Sequence, residues 1–159
     1  IGLMSLNLPA FQNETDERIF QRVGECTDQR LFAIFEALKR GMSVEQIHEI
    51  TRIDEWFLHK LVNLLNIEQT FAEVKAGRCP LTQELYREAK QAGYPDKVIT
   101  DMTGAKIGSE PGPLHIDASY KMVDTCAGEF NAETPYFYAT YDEENEAAEF
   151  LKKNRCPLD

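Results

Sequence analysis

Long apolar runs are missing from this 159-residue chain. No stretch approaches the roughly 20 consecutive apolar residues that a membrane-crossing helix needs, so no membrane is expected. Basic residues are scarce too. Against 27 Asp and Glu stand 17 Lys and Arg, for a formal net charge of −10 and a pI near 4.8. Such a surface repels a phosphate backbone unless a local basic patch overcomes the field. Lys152, Lys153 and Arg155 form the only tight basic group, so nucleic acid is not expected as a partner.

The pieces of familiar active sites are missing as well. Cys26, Cys79, Cys126 and Cys156 form no CxxC, and no zinc spacing links them to His48, His59 or His115. They read as free thiols of a cytoplasmic protein. Ile1–Ala10 lacks the charged start and long apolar run of a secretory signal, and Ile1 in place of Met is what an interior fragment or a processed chain shows. His48-Glu49 begins a phrase used by zinc proteases, but Arg52 stands where the second ligand histidine belongs. No base at a useful spacing accompanies Cys126. The acidic run Asp142, Glu143, Glu144, Glu146 and Glu149 matches no calcium loop. Gly104 and Gly108 lack the helix and the Lys of a phosphate cradle. No catalytic, cofactor or metal site is expected within the chain.

What is present is helical pattern. A phrase occurs twice, Thr15-Asp16-Glu17-Arg18-Ile19-Phe20 and Thr27-Asp28-Gln29-Arg30-Leu31-Phe32. In each, a Thr cap and an acidic first turn precede an apolar pair, and the second reads as the firmer helix start. From it Leu31, Ile34, Phe35 and Leu38 make one stripe, ended by Gly41. Ser43 caps a short helix with Val44, Ile47 and Ile50 expected to face inward, and Asp54 caps a long one to about Val74. Phe57, Leu58, Leu61, Val62, Leu64, Leu65 and Phe71 spread over more than one face of that helix, which predicts a central element with neighbours on both sides. Thr82 and Pro95 open two further short helices, ended at Gly93 and Gly104, with Pro95 at the first helical position. Gly108–Pro113 reads as a loop. The stretch 119–141 is aromatic-rich without helical period and reads as extended or irregular; 142–150 reads as a frayed helix.

The fold class expected is therefore all-α, one compact helical domain or two small helical lobes, with an extended irregular aromatic-rich segment toward the C-terminus. Leu31, Phe35, Leu38, Ile47, Trp56, Phe57, Leu61, Leu64 and Leu65 are the expected helical core or interface. The pair of helices within Ser43–Leu65 superficially suggests a DNA-reading helix-turn-helix, but the second helix offers Glu55, His59, Lys60 and Asn63 among aromatics and leucines. A free-standing helical protein-interaction domain or a helix-turn-helix-like domain is the alternative reading.

Two blocks carry a resemblance. The first is Tyr120-Lys121-Met122-Val123-Asp124-Thr125-Cys126-Ala127, then Glu129-Phe130, Thr134-Pro135-Tyr136 and Thr140-Tyr141. The second is Ala37-Leu38-Lys39-Arg40-Gly41-Met42-Ser43-Val44, then Ile47-His48-Glu49-Ile50-Thr51 and Ile53-Asp54-Glu55-Trp56-Phe57-Leu58. Together, the second block preceding the first along the chain as in the family, they resemble the large subunit of carbamoyl phosphate synthetase over about Thr27–Glu146. Three features depart from that pattern. Pro111 and Pro113 exclude the family's charged helix over Gly104–Asp117, Gly128 stands where Ala is common, and the segment beyond about Glu146 does not look like entry into a following strand.

The resemblance implies the connection, or oligomerisation, domain between two synthetase halves, itself not catalytic. It implies residues 1–14 as a lead-in from the preceding half, 15–104 as the helical domain, 105–146 as a loop and extended segment, and 147–159 as an acidic-to-basic tail. ATP and Mg or Mn, within an ATP-dependent ligase, belong to the flanking ATP-grasp halves. Other copies of the large subunit and a glutaminase small subunit are the implied partners, in the cytoplasm. Tyr120, Val123, Asp124, Thr125, Cys126, Glu129, Phe130, Tyr136 and Tyr141 are the candidate residues for docking between domains.

Overall fold

The computed structural model of the chain describes residues 5–107, 114–125, 128–129 and 136–153. They form a mostly helical protein with one small sheet. In chain order come α1 (Asp16–Gly24), α2 (Arg30–Lys39), α3 (Val44–Thr51), α4 (Glu55–Lys75), α5 (Gln83–Gln91) and α6 (Asp96–Thr103), then β1 (Ser119–Val123), β2 (Tyr136–Thr140) and α7 (Glu146–Lys153). Two compact units result. One comprises Ile1–Leu81 with Tyr94–Lys106, the other Thr82–Gly93 with Ile107–Asp159.

Helix starts in the first unit follow side-chain chemistry. Thr15 accepts from the Arg18 amide, and Asp54 accepts from the Trp56 amide. Ser43 forms a full capping box: its hydroxyl accepts from the Gln46 amide while Gln46 accepts from the Ser43 amide. The second Thr-Asp phrase does not behave like the first. Thr27 is consumed in the turn between α1 and α2, donating its amide to Glu25 O (2.9 Å) while its carbonyl accepts from the Arg30 amide (3.2 Å). The cap position of α2 falls on Gln29, which makes no side-chain cap. The expectation that Thr27 starts the firmer helix is thus reversed, because closing the turn uses the residues that would have capped.

α2 and α4 stop alike. After α2, Gly41 N donates to Leu38 O (3.1 Å) and Met42 N to Ala37 O (3.0 Å); after α4, Gly77 N donates to Val74 O (2.9 Å) and Arg78 N to Glu73 O (3.0 Å). This is the Schellman pattern, and it needs the left-handed backbone that both glycines adopt, at φ +93° and +72°. Pro95 occupies the cap of α6, one place before the expected first helical position.

Phe11, Ile19, Val23, Ala33, Ile34, Ala37, Leu38, Val44, Ile47 and Leu58 form the principal core. It is built by α1, α2 and α3, with α4 laid against α2 and α3. Each large side chain fully buried there contributes roughly 1.5–3 kcal/mol. A smaller cluster joins α4 to α6, where Phe71 meets Tyr94 edge to face at 5.6 Å. The Tyr94 hydroxyl donates to Leu64 O (3.3 Å) and lies 3.4 Å from Glu68. Burial, and then that carboxylate, push the phenol well above its usual range.

The long helix is not enclosed as expected. Only Leu58, Ile67 and Phe71 of α4 are buried. Successive helical residues point about 100° apart, so directing Leu58 into the core turns Trp56 and Phe57 outward, and both are 60% exposed.

In the second unit β1 and β2 pair antiparallel, with Ser119 opposite Thr140, Lys121 opposite Tyr138 and Val123 opposite Tyr136. The segment expected to be extended or irregular contains a regular ladder. α7 packs on β1, with Phe150 meeting Phe137 edge to face at 5.8 Å. Helix α7 (Glu146–Lys153) starts inside the stretch 142–150 that reads as a frayed helix and runs three residues past it. The expected loop Gly108–Pro113 lies outside the described residues.

Candidate functional site

Two surfaces draw the sequence-derived candidates together, one in each unit. On the helical unit, α2 presents Leu31 (48% exposed) and the start of α4 presents Trp56 and Phe57. Trp56 and Phe57 meet edge to face at 5.0 Å, and the Lys60 ammonium lies 4.7 Å from the centre of the Trp56 ring. Leu31, Ile34, Ile53, Phe57 and Leu61 line an apolar groove of about 240 Å³.

Of the nine helical candidates, Phe35, Leu38 and Ile47 are buried. Leu61 and Leu65 are partly buried against the core, Leu64 is half-buried, and Leu31, Trp56 and Phe57 face solvent. Ile50, 47% exposed on α3, was expected to point inward.

The docking candidates in the second unit divide. Strand alternation sends Tyr120 and Met122, with Phe137 opposite Met122, to the face carrying α7. Val123 and Tyr136 lie on the opposite face with Lys121 and Tyr138. Tyr141 belongs to neither: the Lys90 ammonium sits 4.7 Å from its ring, and its carbonyl accepts from Gln91 Nε2 (3.2 Å). Asp124, Thr125 and Glu129 are exposed beyond the strand end, while Cys126 and Phe130 lie outside the described residues. Tyr138, 50% exposed, was missing from the candidate set. A period of two counted from Tyr136 would have found it.

Lys121 closes one side of that face, reaching Asp142 (3.2 Å) and Glu144 (3.8 Å). The hydrogen bond and charge of Asp142 hold its ammonium above the ordinary lysine range. Elsewhere, Cys26 and Cys79 are free thiols, and His48 Nδ1 lies 2.7 Å from Ile53 O. Among the described residues no group of three His, Cys, Asp or Glu could hold a metal ion. No helix among them is long and apolar enough to cross a membrane.

Residues 1–110 match the family described as the carbamoyl-phosphate synthetase large chain, oligomerisation domain. The chain belongs to that family. It is 44% identical over 142 residues to the carbamoyl phosphate synthase large chain of Agathobacter rectalis, covering 87% of this chain and 13% of that protein. It is 39% identical over 151 residues to the same-named protein of Lachnoclostridium phytofermentans, covering 91% and 14%. With that of Methanothrix thermoacetophila it shares 42% identity over 135 residues, covering 83% and 12%. The chain therefore spans about one part in seven or eight of the relatives it matches. In this oligomerisation domain the family match covers α1 to α6, and the similarity to relatives covers more of the chain than the family match does.

Proposed function

We propose that this chain is the non-catalytic connector and self-association module of a carbamoyl phosphate synthase large chain. On this reading residues 1–14 leave the preceding synthetase half, 15–104 form the helical module, and 105–146 and 147–159 lead toward the next half. The whole protein is then a cytoplasmic ATP-dependent ligase that makes carbamoyl phosphate from bicarbonate, glutamine-derived ammonia and ATP, for arginine and pyrimidine synthesis. ATP and Mg or Mn sit in the flanking ATP-grasp halves, and a glutaminase small subunit supplies the ammonia.

The observation that carries self-association is the outward pair Trp56–Phe57 beside Leu31, on a domain whose family is described by oligomerisation. Large aromatics on a soluble surface, next to an apolar groove, have the anatomy of an interface centre. A second copy offering the same face would bury both sets in an isologous contact.

Light scattering and sedimentation velocity on the 159-residue chain and on a Trp56→Ser/Phe57→Ser variant test the assignment. The wild-type chain should associate in the high micromolar range and the variant should remain monomeric. Since both side chains are already exposed, monomer stability should move by only about 0.5 kcal/mol per site. A wild-type chain that stays monomeric removes self-association and leaves the connector alone. Association unchanged in the variant moves the interface to another face.

A further inference from the structure

Trp56 and Phe57 stand in the first turn of α4. First turns fray, because their amides have no carbonyl one turn back to donate to. A frayed pair of aromatics would have to be ordered on binding, and that ordering subtracts from affinity. Packing does little to hold this turn, since of the buried side chains on α4 Leu58 alone precedes Ile67. The chain just ahead of it is held by hydrogen bonds instead.

Ile53 is fixed at both of its backbone groups. Its amide donates to Thr51 Oγ1 (3.1 Å), and its carbonyl accepts from His48 Nδ1 (2.7 Å). A carbonyl only accepts, so Nδ1 is the ring nitrogen that carries the proton. Thr51 Oγ1 is itself anchored, donating to Ile47 O (2.7 Å). Between these, Arg52 turns the chain at φ +59° while its amide donates to His48 O (2.8 Å). A Cβ disfavours that left-handed backbone, and among the described residues Arg52 is the one non-glycine that adopts it. After α2, α4, α5 and α6 the same region is taken by Gly41, Gly77, Gly93 and Gly104. A strained residue persists where its surroundings over-determine it, and the hydrogen bonds of His48 and Thr51 do so here. Asp54 follows directly and caps α4 through the Trp56 amide (2.8 Å).

We propose that this α3–α4 joint is a positioning device for self-association. His48 and Thr51 are its positioning residues: through Ile53 they hold the first turn of α4, so that Trp56 and Phe57 are set before a second copy arrives. The proposal deepens the self-association reading and rests on it. It gives a use to a histidine that no metal or catalytic group explains, and to a strained residue at a place where glycine would relieve the strain.

Trp56 is the only tryptophan of the chain, so its fluorescence reports the turn directly. Time-resolved anisotropy on the dilute monomer and sedimentation velocity on the concentrated chain test the proposal with two pairs of variants. Thr51→Val deletes the hydroxyl at nearly constant shape, and His48→Leu deletes the ring donor. In both, Trp56 should gain a nanosecond depolarising motion, and self-association should weaken several-fold. Thr51→Ser keeps the hydroxyl, and His48→Asn places an N–H donor as far from Cβ as Nδ1, so both should match wild type. Trp56 as well ordered in the deletion variants as in wild type overturns the proposal. So does a gain in motion that leaves association unchanged, and so does lowered stability in urea with anisotropy and association both intact. Should Thr51→Val fail to fold, His48→Leu against His48→Asn makes the same comparison from the other end of the joint. A wild-type chain that stays monomeric at every concentration defeats the self-association reading itself, a result that none of the variants can produce.

Discussion

At the end of α2 the Arg40 guanidinium holds three stretches of chain at once. Nε donates to Glu36 (2.8 Å), Nη1 to Glu14 O (2.7 Å) and Asp16 (2.9 Å), and Nη2 to Phe11 O (2.8 Å). A rigid fork of donors suits this in a way that a lysine does not. Arg22 completes the clasp. It donates from Nε and Nη2 to the two oxygens of Glu14 (2.7 and 2.8 Å) and lies 5.2 Å from the centre of the Phe11 ring. Asn7 adds a second strap, donating from Nδ2 to Glu68 (2.9 Å) while accepting from Lys39 (2.7 Å). The segment read from sequence as a plain lead-in is therefore fastened to the helices, and Phe11 is part of the core. The clasp has a pH signature. The hydrogen bond from Arg22 holds the Glu14 carboxyl below its ordinary value of 4.5. A depressed carboxylate contributes stability that is fully present above the unfolded value and lost as pH falls through the folded one. Thermal midpoints of wild type and Glu14→Gln should therefore differ at neutral pH and converge below pH 4.5. A constant gap down to the acid limit would show that this carboxylate is not the linked group.

Among the elements, helix starts were readable where the cap and its target amide lie within three residues, as at Thr15, Ser43, Asp54 and Thr82. Such contacts close locally and need no distant partner. Thr27 begins a phrase similar to that of Thr15, with Asp next and Arg at the third place, yet it closes a turn, because α1 and α2 pack against each other and the link between them is short. Ser43→Ala should accordingly cost about 1 kcal/mol, while Thr27→Ala, at an exposed site with no side-chain cap, should stay within about 0.5 kcal/mol. Urea denaturation of the two variants measures the contrast, and equal losses would contradict the cap assignment. The hairpin was only half readable. Its aromatics announced extended chain, but Tyr120 and Tyr136 were grouped together although the register sends them to opposite faces. Sequence contains the alternation; it does not contain the partner residue across the ladder.

For the molecule as a whole, charge and apolar surface pull in opposite directions. Each copy carries a formal charge of −10, while Leu31, Trp56 and Phe57 offer an apolar contact. Association through that face must overcome repulsion that salt screens, with a Debye length near 10 Å at 0.1 M and about 3 Å at 1 M. Sedimentation equilibrium should therefore show tighter self-association as NaCl rises; weakening with salt would point instead to an interface held by ion pairs. The family and the helical class were legible from residues alone, because two motif blocks stand in order and because caps, glycine stops and apolar periodicity are satisfied over a few residues. The exposure of particular side chains was not. Seven apolar positions spread around α4 are compatible with a central helix or with one that shows a face to solvent, and only its packing against α2 and α3 fixes Leu58 inside and Trp56 and Phe57 outside. The same holds for the hairpin, where the seating of α7 on one face leaves Val123, Tyr136 and Tyr138 on the other. Local hydrogen bonds are written in neighbouring residues, whereas burial is decided by chain segments far away in sequence, and that is where the tertiary structure had the last word.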